Sequence, residues 1–568
     1  MSQNNKTENW NSNLGVVLAV AGSAIGFGNF LRFPGLAAQY GGGAFMIAYF
    51  ISFLLLGIPL SWVEWAIGRK GGSLGGHSTA SILYLICGSR RWKYLGIAGV
   101  IAPLALCMYY IYLEAWTLGY AWHTATGDLN LQGSEAFGNF FVNFVGIRED
   151  GYIFTGESTL LIFFLLTLLA NFYLIYRGVN KGIEWFCKWS MPLLGITAII
   201  ILIRVLTIGT PDPAYPERNV NQGLGYMWNP DKTMLVTGEG KTLDMVNAHA
   251  TPEQKQARIA QLQAENPGTT IREERVDVLK GLMNPEMWLH AAGQVFFSLS
   301  VGFGTVCTYA SYVRRRKDIA LGSLSANTAN AAAEVGLAGM MIIPAAVSFL
   351  GVAASAGAST FGLGFNVLPQ VFRHMPAGQV FGTLFFILLF IGAITSAISM
   401  LQPAVAFLEE FWKLRRAQSV SLVAFILIVG ALMVAWFTGG SGLIALGTLD
   451  FWFGTMCLYI CAGMYLYIFN IVWGSRKGLG ELREGALIHV PGFLRYIILF
   501  VTPGIMSIIF AAWLYQNIFH KTSEYVALIA RGEPGAIIPL VWVLLIVGFF
   551  SFVIHTSEHF STRHTPKD

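Results

Sequence analysis

Gly22, Gly26 and Gly28 fall within seven residues of one apolar stretch, LGVVLAVAGSAIGFGNFLRFP at 14–34, together with Ser23, Asn29 and Arg32. The stretch is long and apolar enough to enter a bilayer. Each Gly, however, costs a helix roughly 1 kcal/mol relative to Ala, so an unbroken helix is disfavoured. A helix interrupted there frees carbonyls that can hold a cation. It also starts a new N-terminus whose amides can hold a carboxylate. Polar groups at that depth are costly unless partnered. Read alone, the stretch also fits a Gly-rich helix packed closely on its neighbours.

The elements that must position such a break are other apolar spans. The 568 residues are 55% hydrophobic and 12% charged, about half the charged share of soluble domains. Apolar runs recur throughout, which makes this a polytopic membrane protein embedded in a lipid bilayer. Twelve spans are expected, near 14–36, 43–68, 94–124, 159–177, 189–209, 288–313, 329–354, 378–411, 418–438, 447–474, 493–518 and 535–555. Lys and Arg collect after the even-numbered spans, as at Arg314, Arg315, Arg316 and Lys317, so both termini are expected to be cytoplasmic. The net charge of +5 sits in these short loops and implies no nucleic-acid partner. The polar start MSQNNKTENWNSN does not read as a cleavable leader. No pair of the six cysteines falls in an expected outer loop, so no structural disulfide is expected. Residues 211–287 are polar and read as a solvated outer loop. Within it, Thr251-Pro252-Glu253 suggests the cap and first turn of a short helix.

The motifs GSAIGFGNFLRFP, GGGAF, WVEWAIGR and YYIYLEAW, with GQVFFSLSVGFGTVCTYASYVRR, TSAISMLQP and LDFWFG, resemble the neurotransmitter:sodium symporter family, especially its bacterial amino-acid members. The match covers spans one to ten almost continuously. It implies an all-α LeuT fold of twelve transmembrane helices, with a 5+5 inverted repeat and unwound helices one and six. Gly26-Phe27-Gly28 and Gly302-Phe303-Gly304 occupy corresponding places in the two halves. That pattern marks a transporter's central site, although it was drawn from transporters of this same fold and is not independent support.

The resemblance also implies a site. A first sodium would be held by the Ala24 carbonyl, Asn29, Ser298 and Asn330, and completed by the substrate carboxylate. A second would use the carbonyls of Gly22, Ile25 and Gly392 with the hydroxyls of Thr395 and Ser396. Positions 392, 395 and 396 share one helix face, although Ser and Thr in such helices also bond their own backbone. Gly26 stands where amine-transporting relatives carry an acid, so the ligand is expected to bring its own carboxylate. The amides of Phe27 and Gly28 and the Tyr110 hydroxyl would receive it. Ser23, Ala24, Gly26, Leu106, Phe297, Ser298, Ser300, Phe303, Ser396, Ser399 and Met400 would complete the pocket. Glu334 stands where chloride-dependent relatives carry Ser, which implies chloride independence. Arg32 and Asp450 would pair as an outer gate, and Lys6 and Glu410 as an inner one above Trp10. Glu64 would hold the broken backbones, and Gly182 with Pro192 would let span five unwind.

The expected organisation is therefore a cytoplasmic segment 1–13, a first half 14–209, an extracellular loop 210–287, a second half 288–474, helices eleven and twelve at 475–556, and a tail 557–568. The expected function is sodium-coupled import of a neutral amino acid across the cell's inner (plasma) membrane, with two sodium ions as coupling ions. A transporter-like sensor that binds the amino acid without sustained transport is the alternative. A channel is disfavoured by two discrete ligand cages in place of a charged ring. No catalytic set or phosphate loop points to an enzyme. The sequence leaves the oligomeric state open.

Overall fold

In lipid every backbone polar group must be paired within the chain, which leaves helices as the solution for segments this apolar. The computed structural model describes residues 10, 12–246, 250–439, 443–520 and 523–562. Among them nine helices are long and apolar enough to cross a membrane, from Gly43–Ser73 to Pro534–Ser557. A tenth is the pair Leu14–Ala24 and Gly28–Gln39, bent by 46° at its break. The apolar helix Leu160–Tyr176 and the broken pair Pro285–Ser298 and Thr305–Ser311 fall where spans four and six are expected.

Span five begins earlier than expected. Helical turns start at Val179 and run to Leu206, through Glu184 and Lys188, where hydropathy alone suggested loop. The charge at Glu184 is affordable because Lys188 lies 2.7 Å away and Ser12 Oγ donates to it at 3.2 Å.

The long polar segment is not simply a solvated loop. Thr251 caps helix Pro252–Glu265 in a reciprocal box with Gln254, as its sequence suggests. Around it the chain also builds a three-stranded antiparallel sheet from β1 (Lys232–Thr237), β2 (Thr242–Met245) and β3 (Ile271–Val276), in the order β2-β1-β3. Met234, Val236 and Met245 enter the main core. The sheet is moored to the C-terminal end of the first broken helix. Tyr226 Oη donates to the Ala38 carbonyl at 2.5 Å, and Lys232 Nζ donates to the Gly41 and Tyr226 carbonyls.

The functional elements meet at the centre. Helix Gly378–Phe411 packs along helix Ala98–Thr126 and against both Asn13–Ala24 and Trp185–Leu206. The breaks at 25–27 and 299–304 therefore lie against continuous helices.

Candidate functional site

Helix Asn13–Ala24 stops at Ile25, whose backbone is extended at φ −83° and ψ 104°. The Gly26 amide, freed by that break, donates to Asn29 Oδ1 at 2.9 Å, and the Phe27 amide donates to Tyr110 Oη at 3.3 Å. Side chains thus stand in for missing helical acceptors at both amides, of which that of Phe27 is one expected to meet a carboxylate. Gly26 itself cannot be replaced cheaply. A Cβ there would lie 2.7 Å from both Ser396 Oγ and Tyr110 Oη.

In the sixth span Ser300 takes φ 53°, Gly302 φ 84° and Gly304 φ 76°. Such angles are easy for Gly and costly for Ser, so the Ser300 conformation must be held by its surroundings. Ser300 Oγ donates to the Ser23 carbonyl at 2.9 Å, tying one break to the other. The fully buried Glu64 accepts the Gly302 amide and so holds the sixth-span break.

At the expected first sodium site, Asn330 Oδ1 lies 3.3 Å from the Ala24 carbonyl oxygen and 3.2 Å from the Ser298 carbonyl oxygen. Turning the Asn330 amide over pairs it fully, its nitrogen donating to both carbonyls and its oxygen accepting from Ser298 Oγ at 3.2 Å, so Ala24, Ser298 and Asn330 meet at one point. Asn29 differs from expectation in one respect. Its oxygen is engaged by the Gly26 amide, and it is Nδ2 that faces Asn330 Oδ1, at 2.8 Å.

At the expected second site, the single Ser396 hydroxyl proton has three carbonyls within reach, Gly392 at 3.0 Å, Ser23 at 3.1 Å and Gly22 at 3.4 Å. Thr395 Oγ1 is 3.0 Å from both the Ile391 and Gly392 carbonyls. These hydroxyls bond their own helix, as the competing reading allowed, yet they gather more acceptors than protons. A Cβ on Gly392 would reach within 3.2 Å of the Ile25 carbonyl, so all five expected contributors converge. Cys187 and Met191 of span five cover the same place from the Gly22 side, near Pro192.

Glu334 is fully buried and accepts from Tyr49 Oη, Gln294 Nε2 and Ser298 Oγ, the last at 3.1 Å. Ser298 therefore links this acid to Asn330, to which it is joined at 3.2 Å.

Between the breaks lies a cavity of about 20 Å³. Of the expected pocket residues, Ser23, Ala24, Gly28, Leu106, Tyr110, Phe297, Ser300, Phe303, Ser396 and Met400 line it. Gly26, Phe27, Ser298 and Ser399 stand just behind: Ser399 Oγ, for example, bonds Ser23 Oγ at 2.7 Å. Thr305 also lines the cavity, which the sequence reading missed although it directly follows the Gly-Phe-Gly break.

The expected gates are differently arranged. Arg32 and Asp450 form no ion pair among the described residues. The Arg32 guanidinium lies 4.8 Å from the Phe297 ring centroid, and Asp450 accepts from Tyr109 Oη at 2.8 Å. Both face a cavity of about 470 Å³. Lys6 lies outside the described residues. Glu410 accepts instead from Ser78 N at 3.0 Å, Ser81 Oγ at 2.6 Å, His77 N and Ser78 Oγ, contacts the reading missed because they come from a loop over 300 residues away. Trp10 is buried, donates to the Tyr309 carbonyl at 3.0 Å and packs edge-on to its ring.

Broken helices crossing at an oxygen-lined centre, inside a multi-pass helical bundle, define a sodium-coupled secondary transporter. The model of the Sodium:neurotransmitter symporter family matches residues 7–140 and 274–558. The chain belongs to that family. It is 28% identical over 428 residues, 74% of this chain and 78% of the relative, to an uncharacterized sodium-dependent transporter of Haemophilus influenzae. It is 29% identical to the Mus musculus sodium-dependent neutral amino acid transporter B(0)AT3, over 53% of this chain and 42% of that one. The solved structure of MhsT in complex with L-phenylalanine superposes with a TM-score of 0.70 at 26% identity, covering 89% of this chain and 99% of that one.

Proposed function

We propose that this chain imports a neutral amino acid together with two sodium ions by alternating access, without chloride. The observation that carries the reading is the meeting of Ala24, Asn29, Ser298 and Asn330 at the first break, beside Gly26. A cation among these neutral groups lacks a countercharge, and Gly26, which carries no acid, leaves that charge for the ligand to bring. An amino-acid carboxylate would complete the first sodium site while drawing the Phe27 amide and Tyr110 hydroxyl onto itself. Asn29 would turn its amide to join the first site, and the carbonyls around Ser396 and Thr395 would hold the second ion.

Glu334 supports chloride independence. Its carboxylate already supplies negative charge next to Ser298, and a proton on it would serve the return step. The basic loops support twelve spans with both termini cytoplasmic in the cell's inner (plasma) membrane, with 14–209 and 288–474 as the inverted halves. Arg32 and Asp450 would close the outer side, and Trp10, Glu410 and Lys6 the inner.

The test is equilibrium binding of radiolabelled neutral amino acids to purified protein while sodium is titrated, with chloride or gluconate as the anion. A sodium dependence steeper than first order, unchanged by gluconate, is expected. Binding that needs chloride would overturn the role of Glu334.

A further inference from the structure

Thr305 opens the second half of the broken sixth helix, in the wall of the central cavity. It is 1% exposed, and its hydroxyl has no hydrogen-bond partner. Each of the other hydroxyls in that wall has at least one hydrogen-bond partner. Ser23 bonds Ser399 at 2.7 Å, Ser300 donates to the Ser23 carbonyl at 2.9 Å, Ser396 donates to the Gly392 carbonyl at 3.0 Å, and Tyr110 accepts the Phe27 amide at 3.3 Å.

The reason lies in the break. A Thr inside a helix ordinarily bonds the carbonyl one turn back. For Thr305 that turn is Val301-Gly302, where the backbone is not helical. A buried hydroxyl without a partner is destabilising, and a Val in its place would not carry that cost. The cavity beside it, about 20 Å³, has room for roughly one water-sized group. Leu106, Phe297, Phe303 and Met400 supply its bulky walls. Any amino acid must part them, and the displacement grows with each added methylene.

We propose that Thr305 is a specificity-determining residue, and that the substrate is a small neutral amino acid whose side chain ends in a hydroxyl, serine fitting best. This rests on reading the cavity as the amino-acid site. A serine side chain would place its own hydroxyl where Thr305 lacks a partner. Alanine would leave that position unpaired, and leucine or phenylalanine would force the walls apart.

The experiment is uptake of radiolabelled serine, alanine, leucine and phenylalanine into proteoliposomes under an inward sodium gradient. Wild type, Thr305→Val and Thr305→Ser are compared, and kcat/KM ratios are taken within each variant so that differences in folded protein cancel. The wild type is expected to favour serine over alanine by about tenfold, as one added hydrogen bond allows. Thr305→Val should bring that ratio close to one, and Thr305→Ser should keep it. An unchanged serine-to-alanine ratio in Thr305→Val, or a wild type that prefers leucine or phenylalanine, would overturn the proposal while leaving symport intact. A wild type that accumulates no amino acid would overturn both this inference and the reading beneath it.

Discussion

Arg32 and Asp450 face a cavity of about 470 Å³ without touching each other, whereas at the other end of the central site Glu410 is gripped by four donors from the 77–81 loop. The first end has its opposite charges in place but apart, each occupied by an aromatic neighbour, Phe297 and Tyr109. The second is held by close contacts. Trp10 is wedged on Tyr309, and the Glu410 carboxylate sits at the N-terminus of helix Thr79–Cys87, where a negative charge is favoured. On the proposed reading, one end would close by bringing two charges together, and the other would open by releasing a helix cap. On the proposed reading, the bound solute and sodium must supply the difference between these two costs.

The largest effect should come from the centre that both ends serve. Gly26→Ala would push a methyl onto Ser396 and Tyr110. We expect sodium-driven uptake to fall by about 100-fold or more, since a displacement of about 1 Å at such a centre costs that much. Near-normal uptake would show that the space over Gly26 is not used.

Next comes the built-in negative charge. Glu334→Ser should make uptake chloride-dependent, with a stimulation of about tenfold or more when chloride replaces gluconate, because a lost buried carboxylate leaves its polar partners uncompensated. The check is uptake in the two anions side by side; equal rates in the variant would count against the charge-replacement account.

The Glu410 end should respond more modestly. Glu410→Ala removes a cap of about 1 kcal/mol, enough to shift an open–closed equilibrium about fivefold. Labelling rates of a cysteine placed at Ser81 should rise by that order, whereas Asp450→Asn should leave them unchanged. If both substitutions acted alike, the two ends would not be chemically distinct.

The smallest effect is expected where the β1 strand is moored. Burial pushes the Lys232 amine down to about 7. Its value in the unfolded chain lies higher, so between those values the unfolded state binds more protons, and stability rises with pH. That contribution is lost as pH falls through about 7. Melting in detergent should therefore shift upward from pH 6 to 9 by roughly a few degrees, and Lys232→Met should flatten the slope. An unchanged slope would place the pH dependence elsewhere.

Both breaks were legible in the sequence because they are written in local terms, three glycines around Ser23 and a Gly-Phe-Gly after Ser300. Glu64, Thr395 and Ser396 stand inside long motifs, WVEWAIGR and TSAISMLQP, although Glu64 holds only the sixth-span break and not both. The β-sheet was not, because KTMLVT and IREERV are short and pair across more than thirty residues, where only tertiary contact decides. The pairing of Glu410 with the 77–81 loop was hidden for the same reason. Thr305 was missed because its significance is an absence: a hydroxyl shows itself unpartnered only once every neighbour has a position. Span five was clipped because hydropathy treats Glu184 as a boundary, although Lys188 and Ser12 pair it.

The most direct test of the central claim is accumulation of radiolabelled serine and alanine in proteoliposomes holding the wild-type protein, with an inward sodium gradient compared against potassium. The account predicts accumulation above the external concentration with sodium, none with potassium, and release when the gradient is collapsed. Sodium-dependent binding with no accumulation of any neutral amino acid would contradict it.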